Sequence, residues 1–267
     1  MSQLAPVPWG NRAIDIEYQW VGAAKSDYPV LVFLHEGLGS VALWKNFPEK
    51  FCRAYSLSGL VFSRYGYGLS TARPADEKWP RSYMHDQACQ VLPALFNQLG
   101  ISKPVLFGHS DGGSIALLYA AHFPDQVCGV IVAAPHILVE DISIASIEKA
   151  REMYLTGSLR KQLKKYHADV DSAFWGWNDI WLNPDFRAWN IRSELSAIRC
   201  PVLAIQGEQD PYGTLQQITG IQRQLPEARL VILPNCGHTP HQDQPDVLFE
   251  EASAFILRLA GHTSQVL

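Results

Sequence analysis

The stretch Gly108-His109-Ser110-Asp111-Gly112-Gly113 decides how this chain is organised. It follows an apolar run, VLF at 105–107, and leads directly into the helical run SIALLYAAHF at 114–123. A serine between glycines at a sharp strand-to-helix turn is held in a strained conformation with its hydroxyl exposed, because glycine lets the neighbouring backbone approach. At a helix start, main-chain N–H groups favour a developing negative charge. The pattern predicts that Ser110 is a nucleophile; the alternative is a glycine-rich turn with an incidental serine.

Apolar runs alternate with amphipathic segments on both sides of this turn. The predicted strands are 13–21, 30–35, 57–62, 104–107, 127–133, 201–206 and 229–233. The predicted helices are 82–99, which Gly100 would end, 114–122, 143–156, 159–166 and 245–259. Strands that are continuously apolar and alternate with helices are typical of a parallel sheet covered on both faces. The sequence therefore predicts an α/β fold.

One segment interrupts this alternation, between the strands at 127–133 and 201–206. It contains helical stretches and the aromatic-rich sequence FWGWNDIWLNPDFRAW at 174–189. We interpret residues 137–197 as a helical cap inserted between two parts of a core, 1–136 and 198–267. Trp177 and Trp181 are the candidate substrate-binding aromatics, since ligand pockets are mostly apolar, whereas most of the other rings are expected to join the cap to the core.

A nucleophilic serine needs a base, and the base needs a group that orients it. Asp210 follows the strand at 201–206, and His238 follows the last strand, so both lie at the carboxyl ends of strands, where open α/β sheets place ligands. We predict Asp210 as the acid and His238 as the base. Glu208 and Asp141 are weaker alternatives for the acid, and His241 for the base.

The transition state of acyl transfer also needs donors for an oxyanion. The amide of Asp111, the residue after the serine, is one predicted donor. The second is expected from the loop His35-Glu36-Gly37-Leu38-Gly39-Ser40, which follows the strand at 30–35. Gly37 is the first choice there and Leu38 the alternative.

Composition excludes several classes of protein. The 267 residues are 47% hydrophobic and carry a formal net charge of −4, which does not suit a polyanion such as nucleic acid. The first residues, MSQLAPVPWGNRA, lack the pattern of a secretory signal, and no apolar stretch is long enough to span a membrane. Five scattered cysteines without metal-ligand spacing indicate neither disulfides nor a zinc site. We expect a cytoplasmic protein with a small-molecule substrate; its oligomeric state is open, a homodimer being one option.

With these residues in view, the chain resembles the α/β-hydrolase superfamily over nearly its whole length. The motifs HEGLGS at 35–40, GHSDGG at 108–113, IQGEQD at 205–210 and NCGHTPHQDQPDVL at 235–248 are similar in order and spacing to those of esterases, meta-cleavage C–C hydrolases and small lactonases. The resemblance implies an eight-stranded, mostly parallel sheet with a helical cap. It also implies hydrolysis through an acyl-enzyme without metal or cofactor.

Three departures separate the chain from the family pattern. Glu36 stands where a glycine usually follows the histidine, the loop SRYGYGLS at 63–70 lacks the usual Asp and Arg, and Asp111 replaces an apolar residue or glutamine. GHSDGG is also similar to the corresponding motif of valacyclovir-hydrolase-like enzymes, which cleave amino-acid esters. Our hypothesis is that Glu36 or Asp111 favours cationic or neutral acyl groups; the alternative is that Asp111 only bonds to its protein neighbours.

The expected reaction is hydrolysis of a small carboxylic ester. A C–C hydrolase of a meta-cleavage diketone is the main alternative, for which Arg187 or Arg192 would hold the substrate carboxylate. An aminoacyl-ester or lactone hydrolase is another. A non-catalytic ligand receptor is disfavoured by the intact set of serine, aspartate and histidine.

Overall fold

A computed structural model describes residues 2–263 of the chain. Its strands form one eight-stranded sheet with the order β1-β2-β4-β3-β5-β6-β7-β8, and only the pairs β1–β2 and β2–β4 are antiparallel. The strands are β1 Gln3–Trp9, β2 Arg12–Gly22, β3 Leu31–Leu34, β4 Ser58–Phe62, β5 Val105–His109, β6 Gly129–Ala133, β7 Val202–Gly207 and β8 Arg229–Leu233. The predicted eight-stranded, mostly parallel sheet is confirmed.

Helices connect these strands and cover the sheet. They are α1 Phe47–Ala54, α2 Tyr83–Asp86, α3 Leu92–Leu99, α4 Asp111–His122, α5 Asp141–Leu155, α6 Ser158–Leu163, α7 Val170–Trp181, α8 Arg192–Leu195, α9 Gln216–Gln224, α10 Pro240–Asp243 and α11 Pro245–Thr263. A π-helical turn, Gln87–Val91, joins α2 to α3, and a 3₁₀ turn, Pro184–Ala188, follows α7. Among the described residues, no helix combines the length and the apolar character that a membrane span requires.

The central strand β3 shows why the core has two halves. Val32 and Leu34 point into the apolar cluster that includes residues of α3, α4 and α9. Leu31 and Phe33 point into a second cluster, which includes residues of α1 and α11. Since successive side chains of a strand alternate between faces, a strand that is apolar at every position is buried on both faces. The helices therefore cover both sides of the sheet at the strands that carry the site.

Strand β1 was not predicted from local sequence. Its sequence QLAPVPW contains Pro6 and Pro8, and proline cannot donate to a strand ladder, so the segment does not look like a strand. The structure places β1 at the edge of the sheet, paired only with β2, where prolines are tolerated. Ala5 and Val7, which alternate with the prolines, are buried.

The predicted helix over 82–99 is present with an irregular turn in its middle. The π-helical turn ends at Val91, and Pro93 stands in the first turn of α3. Proline has no N–H to donate and clashes with the carbonyl four residues earlier, so a local widening of the helix accommodates it. Gly100 ends the helix with a positive φ of 66°, as its sequence position predicts.

Four loops converge on the carboxyl ends of the parallel strands. The loop starting at His35 follows β3, Ser110 follows β5, Asp210 follows β7 and His238 follows β8. Helices α5 to α8 lie between β6 and β7 in the chain, and an antiparallel bridge between Leu138 and Asn190 joins the two ends of that segment. The fold thus brings the four predicted site loops to one edge of the sheet.

Candidate active site

Ser110 occupies the turn between β5 and α4. Its backbone has φ 53° and ψ −120°, a conformation that costs a non-glycine residue about 1–3 kcal/mol. The turn is packed so tightly that a Cβ added to Gly112 would lie 2.1 Å from the carbonyl oxygen of Leu34, and one on Gly108 would lie 2.3 Å from that of Gly112. Glycine at both positions therefore allows the close approach that holds Ser110 at the helix start.

His238 and Asp210 form a continuous hydrogen-bonded series with Ser110. The Nε2 atom of His238 lies 3.0 Å from the Ser110 hydroxyl. Its Nδ1 atom lies 2.9 Å and 2.8 Å from the two carboxylate oxygens of Asp210. Because a carboxylate only accepts, Nδ1 carries the proton, which leaves Nε2 of the neutral ring to accept from the serine hydroxyl. The three residues thus meet the geometric requirement for proton transfer from serine to histidine.

The Asp210 carboxylate is fixed by more than the histidine. It accepts hydrogen bonds from the Gln206 side chain at 2.6 Å and from the Tyr212 amide at 2.8 Å. Burial by itself raises the pKa of Asp210, but the hydrogen bond and charge of His238 and the Tyr212 amide outweigh it, so the net pKa falls below its ordinary value. The carboxylate is therefore held ionised and oriented toward His238. Gln206, at the end of β7, was not singled out from the sequence.

The alternative acids and base lie elsewhere. Glu208 is exposed, and Asp141 pairs with Arg187 at the surface, 2.9 Å between nitrogen and oxygen. His241 is buried near the site, but its ring packs against Trp44, with ring centroids 4.9 Å apart. None of the three makes a hydrogen bond to Ser110 or His238 among the described residues.

A cavity of about 230 Å³ opens over Ser110. Its lining residues come from the core loops and from the inserted segment: Glu36, Gly37, Leu38, Leu43, His109, Ser110, Asp111, His136, Ile147, Trp177, Trp181, Tyr212, His238, Thr239 and Gln242. Trp177 and Trp181, the two predicted aromatics, are among them. The Trp177 ring lies so close to Gly37 that a Cβ there would be 2.1 Å from its Nε1. The inserted segment therefore forms one wall of the cavity.

The other aromatic side chains of the inserted segment mostly pack against one another and the core. Phe174 stacks on Tyr154 with ring centroids 3.6 Å apart. Phe186 packs against Tyr83 of α2 and stacks on Trp189, with centroid separations of 5.8 Å and 5.4 Å. These contacts join the segment to α2 and leave the cavity to Trp177 and Trp181.

The amides predicted to bind an oxyanion are free of hydrogen bonds within residues 2–263. Gly37, Leu38 and Asp111 donate no main-chain hydrogen bond to any residue in the described part of the chain. Asp111 is the first residue of α4, where amides have no carbonyl partner within the helix. All three residues line the cavity that contains Ser110. They are therefore available as donors there.

The Asp111 carboxylate is completely buried and surrounded by donors. It accepts hydrogen bonds from the Tyr83 hydroxyl at 2.9 Å and from the Trp181 indole at 3.2 Å, and the Arg64 guanidinium lies at 3.7 Å. Burial raises the pKa of Asp111, and the charge of Arg64 together with the two hydrogen bonds offsets part of that rise. Arg64 is itself buried, so each charge compensates the other. Neither Arg64 nor Tyr83 was singled out from the sequence.

Glu36 is the more accessible carboxylate. Its side chain is 23% exposed, and one oxygen lies 3.5 Å from Nδ1 of His109. Burial raises the pKa of Glu36, but the nearby His109 lowers it by more, so the carboxyl pKa ends well below its usual range. Burial conversely lowers the pKa of His109, and Glu36 raises it by more. The two side chains therefore stabilise each other's charged forms beside Ser110.

His136 also lines the cavity, although it was not predicted as a site residue from the sequence. It follows β6, its ring meets Trp181 with centroids 4.9 Å apart, and its Nδ1 has no hydrogen-bond partner among the described residues. Burial and the neighbouring His238 lower the pKa of His136 to about 3. A neutral imidazole therefore forms part of the cavity wall. No local motif marks this position.

The two arginines considered for a substrate carboxylate lie outside the cavity. Arg187 pairs with Asp141, and Arg192 donates to the Asn190 side chain at 3.1 Å. The described residues that line the cavity include neither lysine nor arginine. The position that the C–C hydrolase alternative would require of Arg187 or Arg192 is therefore not occupied by either side chain.

Comparisons with known proteins agree with this architecture. Residues 31–251 match the sequence model of a family described as the alpha/beta hydrolase family. The chain is 24% identical over 245 residues to 2-hydroxy-6-oxo-6-phenylhexa-2,4-dienoate hydrolase of Burkholderia cepacia, covering 81% of this chain and 83% of that protein. It is 25% identical to serine hydrolase BPHL of Homo sapiens, covering 92% and 80%. Among solved structures, a thermophilic esterase from Thermogutta terrifontis superposes with a TM-score of 0.73 at 19% identity, over 97% of this chain and 99% of that one.

Proposed function

This chain belongs to the alpha/beta hydrolase family, and we propose that it is a serine hydrolase that cleaves small carboxylic esters through an acyl-enzyme. The observation that carries the proposal is the unbroken series from Ser110 to His238, at 3.0 Å, and from His238 to Asp210, at 2.8 Å, at the cavity that contains Ser110. Such a series converts a weak hydroxyl nucleophile into a reactive one.

In the first half of the reaction, Ser110 attacks the ester carbonyl while His238 takes its proton through Nε2. The positive charge that forms on the imidazole is stabilised by Asp210, which is ionised and already hydrogen-bonded to Nδ1. His238 then gives the proton to the departing alcohol oxygen, which leaves an acyl group on Ser110.

In the second half, water replaces the alcohol. His238 takes a proton from the water as the water attacks the acyl carbonyl, and returns it to Ser110 when the acid leaves. In both halves the carbonyl oxygen becomes negative, and the amide of Asp111 together with that of Gly37, or of Leu38 as the alternative, donates to it. A donor of this kind contributes roughly 3 kcal/mol to the transition state.

The dimensions of the cavity favour a small substrate. A volume of about 230 Å³ is below the range of roughly 300–1,000 Å³ that drug-sized ligands occupy. We propose that residues 137–197 act as a cap, because Trp177 and Trp181 of α7 line the cavity that contains Ser110. The aromatic wall suits an apolar acyl or alcohol group.

A C–C hydrolase reaction is the alternative that the Burkholderia relative suggests. The substrate named there is a dienoate, whose carboxylate needs a cation or several donors. No lysine or arginine lines the described cavity, whereas the Glu36 carboxylate does. This charge distribution opposes an anionic substrate and supports the ester proposal.

The decisive experiment compares wild type, Ser110→Ala and the surface control Ser102→Ala. We expect a fluorophosphonate probe to label wild type and Ser102→Ala but not Ser110→Ala, and p-nitrophenyl acetate hydrolysis to follow the labelling. A parallel assay with a meta-cleavage product should give no turnover. Hydrolysis of the acetate by Ser110→Ala at the wild-type rate would contradict the proposal. Tight ligand binding without labelling would favour a receptor instead.

A further inference from the structure

A second cluster of chemically competent side chains lies away from the cavity. His85 of α2, His122 at the end of α4 and Glu194 of α8 come from three separate elements. The Nε2 atom of His85 lies 3.0 Å from one oxygen of Glu194, and the Nε2 atom of His122 lies 2.9 Å from the other. All three ligand atoms lie within 4.8 Å of one another.

From this geometry we infer that His85, His122 and Glu194 bind a divalent transition-metal ion of the zinc type. Two imidazoles and one carboxylate are a donor set that zinc accepts, with water in the fourth position. Bond lengths of 2.0–2.2 Å in a tetrahedral site place neighbouring ligand atoms about 3.4 Å apart, only slightly wider than the observed contacts. The three ligand atoms are therefore near the spacing that such an ion requires.

Chemically, the metal would replace the protons that now link the three groups. Each Nε2–H donates to Glu194 in the absence of metal, and binding requires Nε2 to offer its lone pair while the proton resides on Nδ1. His122 and Glu194 are partly exposed, with 43% and 29% of their side chains accessible, so an ion can enter from solvent.

The environment of His85 sets the expected strength of binding. Its Nδ1 is buried and has no hydrogen-bond partner among the described residues. Metal-bound histidines normally donate this N–H to an acceptor, and the lack of such a partner typically weakens binding 10–100-fold. We therefore expect Zn²⁺ to be held less tightly than in a structural zinc site.

The location indicates a role in stability and not in the ester chemistry. His122 lies eleven residues along α4 from Asp111, which at 1.5 Å per residue is about 17 Å from the serine end of the helix. Glu194 belongs to the short helix through which the inserted segment returns to β7. An ion bound here would link α8, the last helix of the inserted segment, to α2 and α4. The sequence predicted no zinc site, because ligands this far apart in the chain form no spacing motif.

The test uses the full chain, freed of any affinity tag, treated with a chelator and then desalted. Zn²⁺ titrated by calorimetry should bind one equivalent tightly enough to measure, and Co²⁺ should give the visible absorption of a low-coordinate site. Glu194→Gln keeps the shape of the side chain, and His122→Asn keeps a polar group. Each should weaken Zn²⁺ binding at least about tenfold, as loss of a direct ligand must exceed loss of its supporting partner.

Thermal unfolding gives an independent readout. At a Zn²⁺ concentration a hundred times the dissociation constant, the Tm of wild type should rise by about 5 °C, and that of Glu194→Gln should not. Glu148→Gln, which removes an exposed carboxylate of α5, is the matched control and should behave as wild type. Equal Zn²⁺ binding by wild type and both ligand variants would overturn the inference. So would a lack of binding by wild type when Zn²⁺ is in 100-fold molar excess over the protein. None of these readouts depends on whether the chain hydrolyses esters.

Discussion

His109 donates a hydrogen bond from Nε2 to the main-chain carbonyl of His238, at 2.7 Å. The residue before the serine is thereby bonded to the residue proposed as its base, although the two lie 129 positions apart in the chain. The other nitrogen of His109 faces Glu36 at 3.5 Å. His109, beside Ser110, thus anchors the main chain that carries the His238 imidazole.

His109 is accordingly predicted to be a positioning residue. His109→Phe fills a similar volume but removes the donor, so the His238 loop loses its anchor; we expect kcat to fall about tenfold or more with little change in KM, since small displacements of a reacting group are costly. His109→Gln retains an amide donor and should recover part of the loss. Steady-state kinetics on an ester substrate measures kcat and KM for both variants. An equal loss in the two variants would show that the hydrogen bond is not the cause.

Asp210 is expected to be the acid of the triad. Asp210→Asn keeps the shape of the side chain but removes the charge that stabilises the His238 imidazolium, and should lower kcat by about 10⁴-fold. Glu208→Gln neutralises the exposed carboxylate two residues away and should stay within about twofold of wild type. Circular dichroism checks that both variants fold. A comparable loss in Glu208→Gln would refute the assignment.

Glu36 is expected to influence the charge of the preferred substrate. An ammonium about 4 Å from a carboxylate gains about 4 kcal/mol at an effective dielectric of 20, before desolvation is subtracted. Glu36→Gln should therefore reduce kcat/KM for amino-acid esters relative to plain acyl esters by about tenfold. Asp111→Asn should change this ratio less, because Asp111 is buried and accepts from Tyr83 and Trp181. The Glu36 side chain, by contrast, is 23% exposed to the cavity and solvent.

The double variant, Glu36→Gln with Asp111→Asn, provides the stricter form of this test. If neutralising both carboxylates leaves the ratio between amino-acid esters and plain esters at its wild-type value, charge near the nucleophile does not select the substrate. The plain-ester rate serves as the internal control, since it registers any general damage to the site.

His136 is expected to make the protein sensitive to acid. The pKa of His136 is about 3 in the folded chain, lowered by burial first and by His238 second, against about 6.5 in an unfolded chain. Between these values the unfolded state binds a proton that the native state does not, so stability falls as the pH is lowered, by about 1.4 kcal/mol per pH unit.

His136→Phe removes this group and keeps an aromatic ring against Trp181. Urea unfolding at pH 8, 6, 5 and 4 should show a shallower loss of stability for the variant, by about 1.4 kcal/mol per pH unit between pH 6 and 4. At pH 8 His136 is neutral in both states, so the difference in unfolding free energy between wild type and variant at that pH reports only the change in packing. If the free energy of unfolding fell equally with pH in wild type and in His136→Phe, His136 would have to be protonated in the native state as it is in the unfolded state.

Much of the frame could be predicted from the sequence. Periodicity located seven strands, because continuous apolar runs are typical of strands buried on both faces, and the glycines around Ser110 marked the sharp turn. The eighth strand, Gln3–Trp9, was implied only by resemblance, since its prolines contradict strand propensity and edge pairing alone permits them. The irregular turn before Pro93 likewise depends on how one helix accommodates a missing donor.

The sequence by itself determined the parallel sheet and the order in which Ser110, Asp210 and His238 follow successive strand ends, because both depend on local pattern. Only the tertiary structure decided that His238 bonds to Asp210 and not to Glu208, that Arg64 compensates Asp111, and that His136 lines the cavity. These pairings join residues remote in the chain. Their geometry depends on how loops from different strands pack at one edge of the sheet, and no local pattern records that packing.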